Sequence, residues 1–179
     1  FDAVSVREDV GIRMCQEWFD CDSAVQVLDP VMLLDVSRYR ELAATSDRHS
    51  CKGKIMTYIL DPSKEKSAVV DLMVKASGKD ACSTYIDVRD RQLAVHQRIV
   101  PPVEQWLAGF CDADFVVTDS FHGCVFAIIF NKPFVCLGNK ARGSARFASL
   151  LGTFGLQERL LTTPTTEQVA ECMRTPIDW

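Results

Sequence analysis

Asp114-Phe-Val-Val-Thr-Asp-Ser-Phe-His-Gly-Cys-Val-Phe-Ala-Ile-Ile-Phe-Asn-Lys-Pro-Phe-Val135 carries more structural information than any other stretch of this chain. It reads as a buried strand from Phe115 to Thr118, broken by the polar group Asp119, Ser120, His122 and Gly123. An apolar helix from Cys124 to Phe130 comes next, then a Lys-Pro turn and a second buried strand from Phe134 to Leu137. A strand that passes through a polar break into a helix aims the helix's unpaired N–H groups at whatever sits above the sheet. Such an end favours anions, phosphate above all. His122, one of three histidines, lies in that break, where it could pass a proton to a bound ligand.

The same alternation extends to both sides. Short, largely apolar runs at Ala3–Val6, Val25–Leu28, Ile55–Leu60 and Thr84–Val88 predict further strands of a parallel sheet covered on two faces. Helical patterns are expected at about Asp9–Phe19, Ser37–Ala44, Ser63–Ala76, Val103–Cys111, Ala145–Leu151 and Thr166–Met173, the last capped by Thr165 or Thr166. Pro101-Pro102 starts the helix carrying Trp106, and Asp29-Pro30 and Asp61-Pro62 end strands. Strands and helices in this order predict an α/β fold, a doubly wound three-layer domain with a mainly parallel sheet. Its ligands are expected at the carboxyl ends of the strands. Two polar clusters fall there, Ser5-Val-Arg7-Glu8 and Thr118-Asp-Ser-Phe-His122, and both could line one cleft.

At 179 residues the chain fits a single domain spanning 1–179. Its net charge of −4 gives no general pull toward nucleic acid or an anionic membrane surface. Charge is unevenly spread. From Ser120 to Gln157 there is no acid, whereas Lys132, Lys140, Arg142 and Arg146 fall inside, so an anion site is expected there. No apolar run approaches the roughly 20 residues needed to span a bilayer. The first seven residues read as a strand rather than a signal peptide. The missing initiator Met suggests a trimmed piece or a domain cut from something longer. The eight cysteines, at 15, 21, 51, 82, 111, 124, 136 and 172, form no Cys-x-x-Cys pair and no zinc spacing with a histidine. They read as free thiols in a reducing cytosol, with no disulfide and no structural metal.

Each candidate residue has a bland alternative. His122 could merely brace the helix start, but its place between Ser120 and Gly123 favours general acid or base work. Gly123 would let a ligand approach the backbone, and Ser120 is a natural helix cap that could instead bond a ligand oxygen. Arg7 could pair with Glu8 or Asp9 at the surface. Just past a strand end, its planar fork could equally hold a carboxylate or phosphate. In the Gly-rich loop Gly138-Asn-Lys-Ala-Arg-Gly-Ser-Ala-Arg-Phe147, Arg146 is favoured over Lys140 and Arg142 as an anion ligand, because it starts a helix packed by Phe147 and Leu150. Cys124 and His122, two apart on a helix, point to different faces, which favours packing over a nucleophile pair. His49 and His96 have no matching ligand set, and Asp87, Arg89, Asp90 and Arg91 read as a solvated charge cluster.

The segment Trp106-Leu … Ala113-Asp-Phe-Val-Val-Thr-Asp-Ser-Phe-His-Gly … Phe126-Ala-Ile-Ile-Phe-Asn-Lys-Pro-Phe134, followed by Arg146-Phe … Leu150-Leu … Gly155-Leu … Arg159, resembles the C-terminal part of the polysaccharide pyruvyl transferases. Val4-Ser-Val-Arg-Glu-Asp … Val27-Leu-Asp-Pro30 … Leu33-Leu34 is similar to the same family's mid-chain pattern. The resemblance implies the C-terminal Rossmann-like half of a longer two-domain enzyme built like the GT-B glycosyltransferases. Its reaction would move a pyruvyl group from phosphoenolpyruvate to a sugar of a cell-surface polysaccharide. The implied partners are phosphoenolpyruvate, a saccharide or lipid-linked saccharide acceptor, and the missing N-terminal half. No metal or other cofactor is implied. The implied location is the cytoplasm, including the inner face of the membrane.

By the same resemblance His122 matches the catalytic histidine and Arg7 an arginine that holds the donor. Many members carry Arg where Ser120 stands, a role Arg146 could take over here. Two other readings stay open: the donor half of a GT-B nucleotide-sugar glycosyltransferase, and a non-catalytic carbohydrate-binding relative.

Overall fold

The computed structural model describes residues 2–49, 51–86, 91–92, 94, 98–138 and 144–179. Among these, His96 and the cluster residues Asp87, Arg89 and Asp90 do not appear, nor do Lys140 and Arg142; the expectations placed on them lie outside the described residues. A five-stranded parallel sheet organises the chain, in the order β4-β3-β5-β6-β7. Its strands are β3 (Ile55–Tyr58), β4 (Ala81–Ser83), β5 (Phe115–Thr118), β6 (Phe134–Leu137) and β7 (Leu160–Leu161). In the ladder Ile55 pairs with Phe115, Thr57 with Val117 and Val117 with Val135. Every residue of β5 and β6 is buried, so each strand reads as an unbroken apolar run rather than an alternation.

Alternation reappears in where those side chains go. Ile55, Phe115, Val117, Val135, Leu137 and Leu161 pack with Val69 and Met73 of α3 (Lys64–Ser77) and Val169 and Cys172 of α7 (Thr166–Arg174). Met56, Val116, Phe134 and Cys136 face the opposite layer. That layer is built by α2 (Val36–Ala44), α4 (Val103–Asp112), α5 (Phe121–Ile129) and α6 (Ala145–Thr153). The result is a Rossmann-like three-layer α/β fold. Local chemistry sets the helix ends. Ser63 caps α3, Gly78 closes it at φ +68°, and Thr165 with Gln168 forms a capping box on α7. Arg159, only 1% exposed, donates to the carbonyls of Cys172 and Thr175 and so ties β7 to the last helix.

A separate parallel pair stands beside this sheet: β1 (Ser5–Val6) and β2 (Val25–Gln26), joined by α1 (Asp9–Phe19). This βαβ unit is thinly covered. No residue of α1 is buried, and Val25 and Val27 are 56% and 42% exposed.

Three expectations need correcting. The strand expected at Thr84–Val88 lies earlier, at Ala81–Ser83, because Gly78 turns the chain so that Asp80 already bonds Ile55 and the ladder begins at Ala81. The β-branched and aromatic residues that suggest the later strand come after the pairing rather than make it, and the end of that stretch lies outside the described residues. The helix expected from Cys124 starts at Phe121, since the Ser120 hydroxyl accepts the Gly123 amide.

The third correction concerns the thiols: Cys51 and Cys82 form a disulfide across 31 residues, with Cα atoms 5.5 Å apart. The parallel β3–β4 pairing sets Cys82 opposite Met56 and so brings it to the turn before β3. The premise for a reducing cytosol therefore falls away. Closing a loop of this length is worth about 3–4 kcal/mol. Reducing and alkylating the bond, or a Cys51→Ala/Cys82→Ala double variant, is expected to lower Tm by about 10 °C in differential scanning calorimetry. An unchanged Tm would show that the bond does not form in solution.

Candidate functional site

Thr118 ends β5 and turns the chain at that point. Its Oγ1 donates to the Tyr58 carbonyl at 2.7 Å and accepts the Ser120 amide at 3.0 Å, bending the backbone out of the sheet. Asp119, fully buried, accepts the amides of Leu60 and Asp61 at 2.7 and 3.0 Å and the Lys66 ammonium at 2.6 Å. Its carboxylate is spent on the β3–α3 loop, which locks that loop to the break after β5. Ser120 is buried and takes the capping role, one of the two the sequence allows. Gly123 is buried as well. A Cβ there would collide with Thr118 Oγ1, so strand–helix packing requires the glycine. Ser120 and Gly123 thus frame the turn, and the amides of Phe121 and His122 are those a helix leaves without an intrahelical partner.

The side chain that emerges is His122, 52% exposed. Its Nε2 lies 3.7 Å from Asp29 Oδ2, and its ring meets Phe121 edge-on at 5.5 Å. Arg7 donates to the same Asp29 oxygen, rather than to Glu8 or Asp9. The guanidinium carbons of Arg7 and Arg146 each lie 5.6 Å from the centre of the Phe121 ring. Three candidates from distant parts of the chain therefore gather about one phenyl ring: Arg7 after β1, His122 at the head of α5 and Arg146 in the first turn of α6. A guanidinium against a ring face gains about 0.5–1 kcal/mol at such exposure. The Arg146 Nε is buried and has no hydrogen-bond partner among the described residues. Arg7 is neutralised by Asp29, whereas Arg146 has no carboxylate partner among the described residues.

Asp29 is the residue that sequence reasoning missed. From sequence it is the acid of a strand-ending Asp-Pro, and it does fill that role, with Oδ1 accepting the Val31 amide at 3.1 Å. The other oxygen serves the site. A faint signal exists: an acid shortly after the second strand, as Arg7 directly follows the first. Arg7, Asp29 and Phe121 also line a cavity of about 210 Å³ with Gln26, Leu150 and Thr153.

A larger hollow, about 610 Å³, opens at the carboxyl ends of β6 and β7 between α3 and α7. Among its described lining residues there is no arginine or histidine, and its amine, Lys66, is engaged with Asp119. Chemistry, not volume, makes the surroundings of His122 the candidate site.

The other polar candidates lie elsewhere. Cys124 is fully buried against Cys136, whose thiol burial pushes well above its ordinary pKa. Lys132 follows the far end of α5, where burial lowers its pKa in the company of Cys111 and Asp112. His49 bonds Asp112 at 2.6 Å. Among the described residues no helix is long and apolar enough to cross a membrane.

The family model for polysaccharide pyruvyl transferase matches residues 1–141. The chain belongs to the polysaccharide pyruvyl transferase family. No curated protein matches it. The matched stretch holds Arg7, Asp29, Ser120, His122 and Gly123, and Arg146 falls just beyond it.

Proposed function

We propose that this chain is the donor-binding, C-terminal part of a two-domain pyruvyl transferase that takes phosphoenolpyruvate as donor. The observation that carries the reading is the gathering of His122, Arg7 and Arg146 around Phe121, with the Arg146 Nε left unpaired among the described residues. Phosphoenolpyruvate bears a phosphate and a carboxylate. Two guanidiniums beside a helix N-terminus suit both.

Ketal formation needs a proton at the donor's CH₂ carbon, which makes C2 electrophilic. His122 delivers that proton. A sugar hydroxyl then attacks C2, the C2–O bond to phosphate breaks, and inorganic phosphate leaves. A second hydroxyl of the same sugar closes the ketal. The two hydroxyl protons balance the one placed on carbon and the one carried off with phosphate. The acceptor is a saccharide or lipid-linked saccharide. The bare βαβ edge, with Val25 and Val27 exposed, supports a further half of the same chain packing there, as in the GT-B arrangement.

Thermal shift and calorimetric titration test this. Phosphoenolpyruvate is expected to stabilise and bind the chain in preference to a panel of UDP- and GDP-sugars, and Arg146→Ala to weaken that binding about 10- to 100-fold. Preference for a nucleotide-sugar would instead place the chain with the GT-B glycosyltransferases. Binding of neither donor, with saccharide alone bound, would mark a carbohydrate-binding relative.

A further inference from the structure

A buried acid sits where an anion is to bind. Asp29 is 3% exposed in its side chain, and its two oxygens are used differently. Oδ1 caps the 3-10 turn Pro30–Leu33 through the Val31 amide. Oδ2 is not needed for that turn. It takes the Arg7 guanidinium and lies 3.7 Å from His122 Nε2. A carboxylate beside a dianion's site opposes binding, so as mere scaffolding it would be a poor choice. A cap alone would be served equally by Ser, Thr or Asn.

We infer that Asp29 is a positioning residue, whose Oδ2 anchors the His122 ring by Nε2 and the Arg7 fork from below, so that both present their remaining donors to one ligand. The inference rests on the reading of this site as the phosphoenolpyruvate site. At 3.7 Å the contact is longer than a hydrogen bond, so Asp29 orients the His122 ring by charge. Arg7 is about half exposed and keeps the edge of its guanidinium not used by Asp29 for a phosphate or carboxylate. The charge of Asp29 weakens ground-state binding, and orientation of the acid group is what it supplies in return.

That division gives a signature which loss of structure cannot imitate. Asp29→Asn keeps the capping oxygen and removes the charge. The purified chain carrying it is expected to bind inorganic phosphate and phosphoenolpyruvate about 3- to 10-fold more tightly than the parent in calorimetric titration. In the full-length enzyme the same change is expected to lower kcat about 100-fold and to lower KM for phosphoenolpyruvate as well. Damage to the turn would instead raise KM while lowering kcat. Should Asp29→Asn fail to fold, Asp29→Ser keeps a capping hydroxyl and is expected to give the same two shifts.

Weaker or unchanged phosphate binding, or an unchanged kcat, overturns the inference. Failure of the parent chain to bind phosphoenolpyruvate overturns the functional reading instead. The inorganic phosphate arm still judges Asp29 in that case.

Discussion

Replacing His122 with alanine in the full-length enzyme is expected to lower kcat for pyruvyl transfer by about 10²- to 10⁴-fold, the range over which a positioned acid or base contributes. Phosphoenolpyruvate affinity is expected to move less than about tenfold, because Arg7 and Arg146 remain. Stability should hold within about 0.5 kcal/mol: the ring is half exposed, and Ser120, not His122, caps the helix. Steady-state kinetics at varied phosphoenolpyruvate, run beside a thermal melt, separate these quantities. A kcat within about twofold of the parent would remove His122 from the chemistry and, with it, the mechanism drawn from the site.

Three residues earlier the expectation reverses. Asp119→Ala strips an acceptor from the Leu60 and Asp61 amides and leaves the Lys66 ammonium, 14% exposed, without its counter-charge and with the Asp61 carbonyl as its remaining acceptor. Breaking a buried ion pair from one side costs about 3–5 kcal/mol. For a chain of this size that is a fall in Tm of about 10–15 °C. Calorimetry reads it directly. A fall of less than about 3 °C would mean that water or a rearranged Lys66 replaces the carboxylate, and that Asp119 does not lock the β3–α3 loop. Within one short motif, then, His122 should govern rate and Asp119 should govern melting.

Physical reasons separate what is legible in the sequence from what is not. Both β5 and β6 are legible to the residue, because a strand buried on two faces leaves a run of apolar residues with no competing pattern. The start of α5 is easily misread, because a serine cap converts the polar-looking Phe121-His122-Gly123 into a first turn. β7, two residues long, escapes sequence reading altogether, since Leu160-Leu161 has too little length to show a period. His122, Arg7 and Arg146 each stand out by position at a strand or helix end. That they meet around Phe121 is invisible in the sequence, because the meeting is set by how α5, α6 and the βαβ unit pack. Asp29 and the Cys51–Cys82 pair share this property: each answers a partner far along the chain, which local spacing marks only faintly for Asp29 and not at all for the cysteines.

The disulfide joins the turn before β3 to β4, at the sheet's amino end, whereas His122 projects from the carboxyl end of β5. Thiol reagents therefore act at a distance from the proton chemistry. An enzyme stored in dithiothreitol would turn over at its usual speed on the bench yet fail sooner in a warm incubation, and shelf life, not specific activity, would betray a reduced batch.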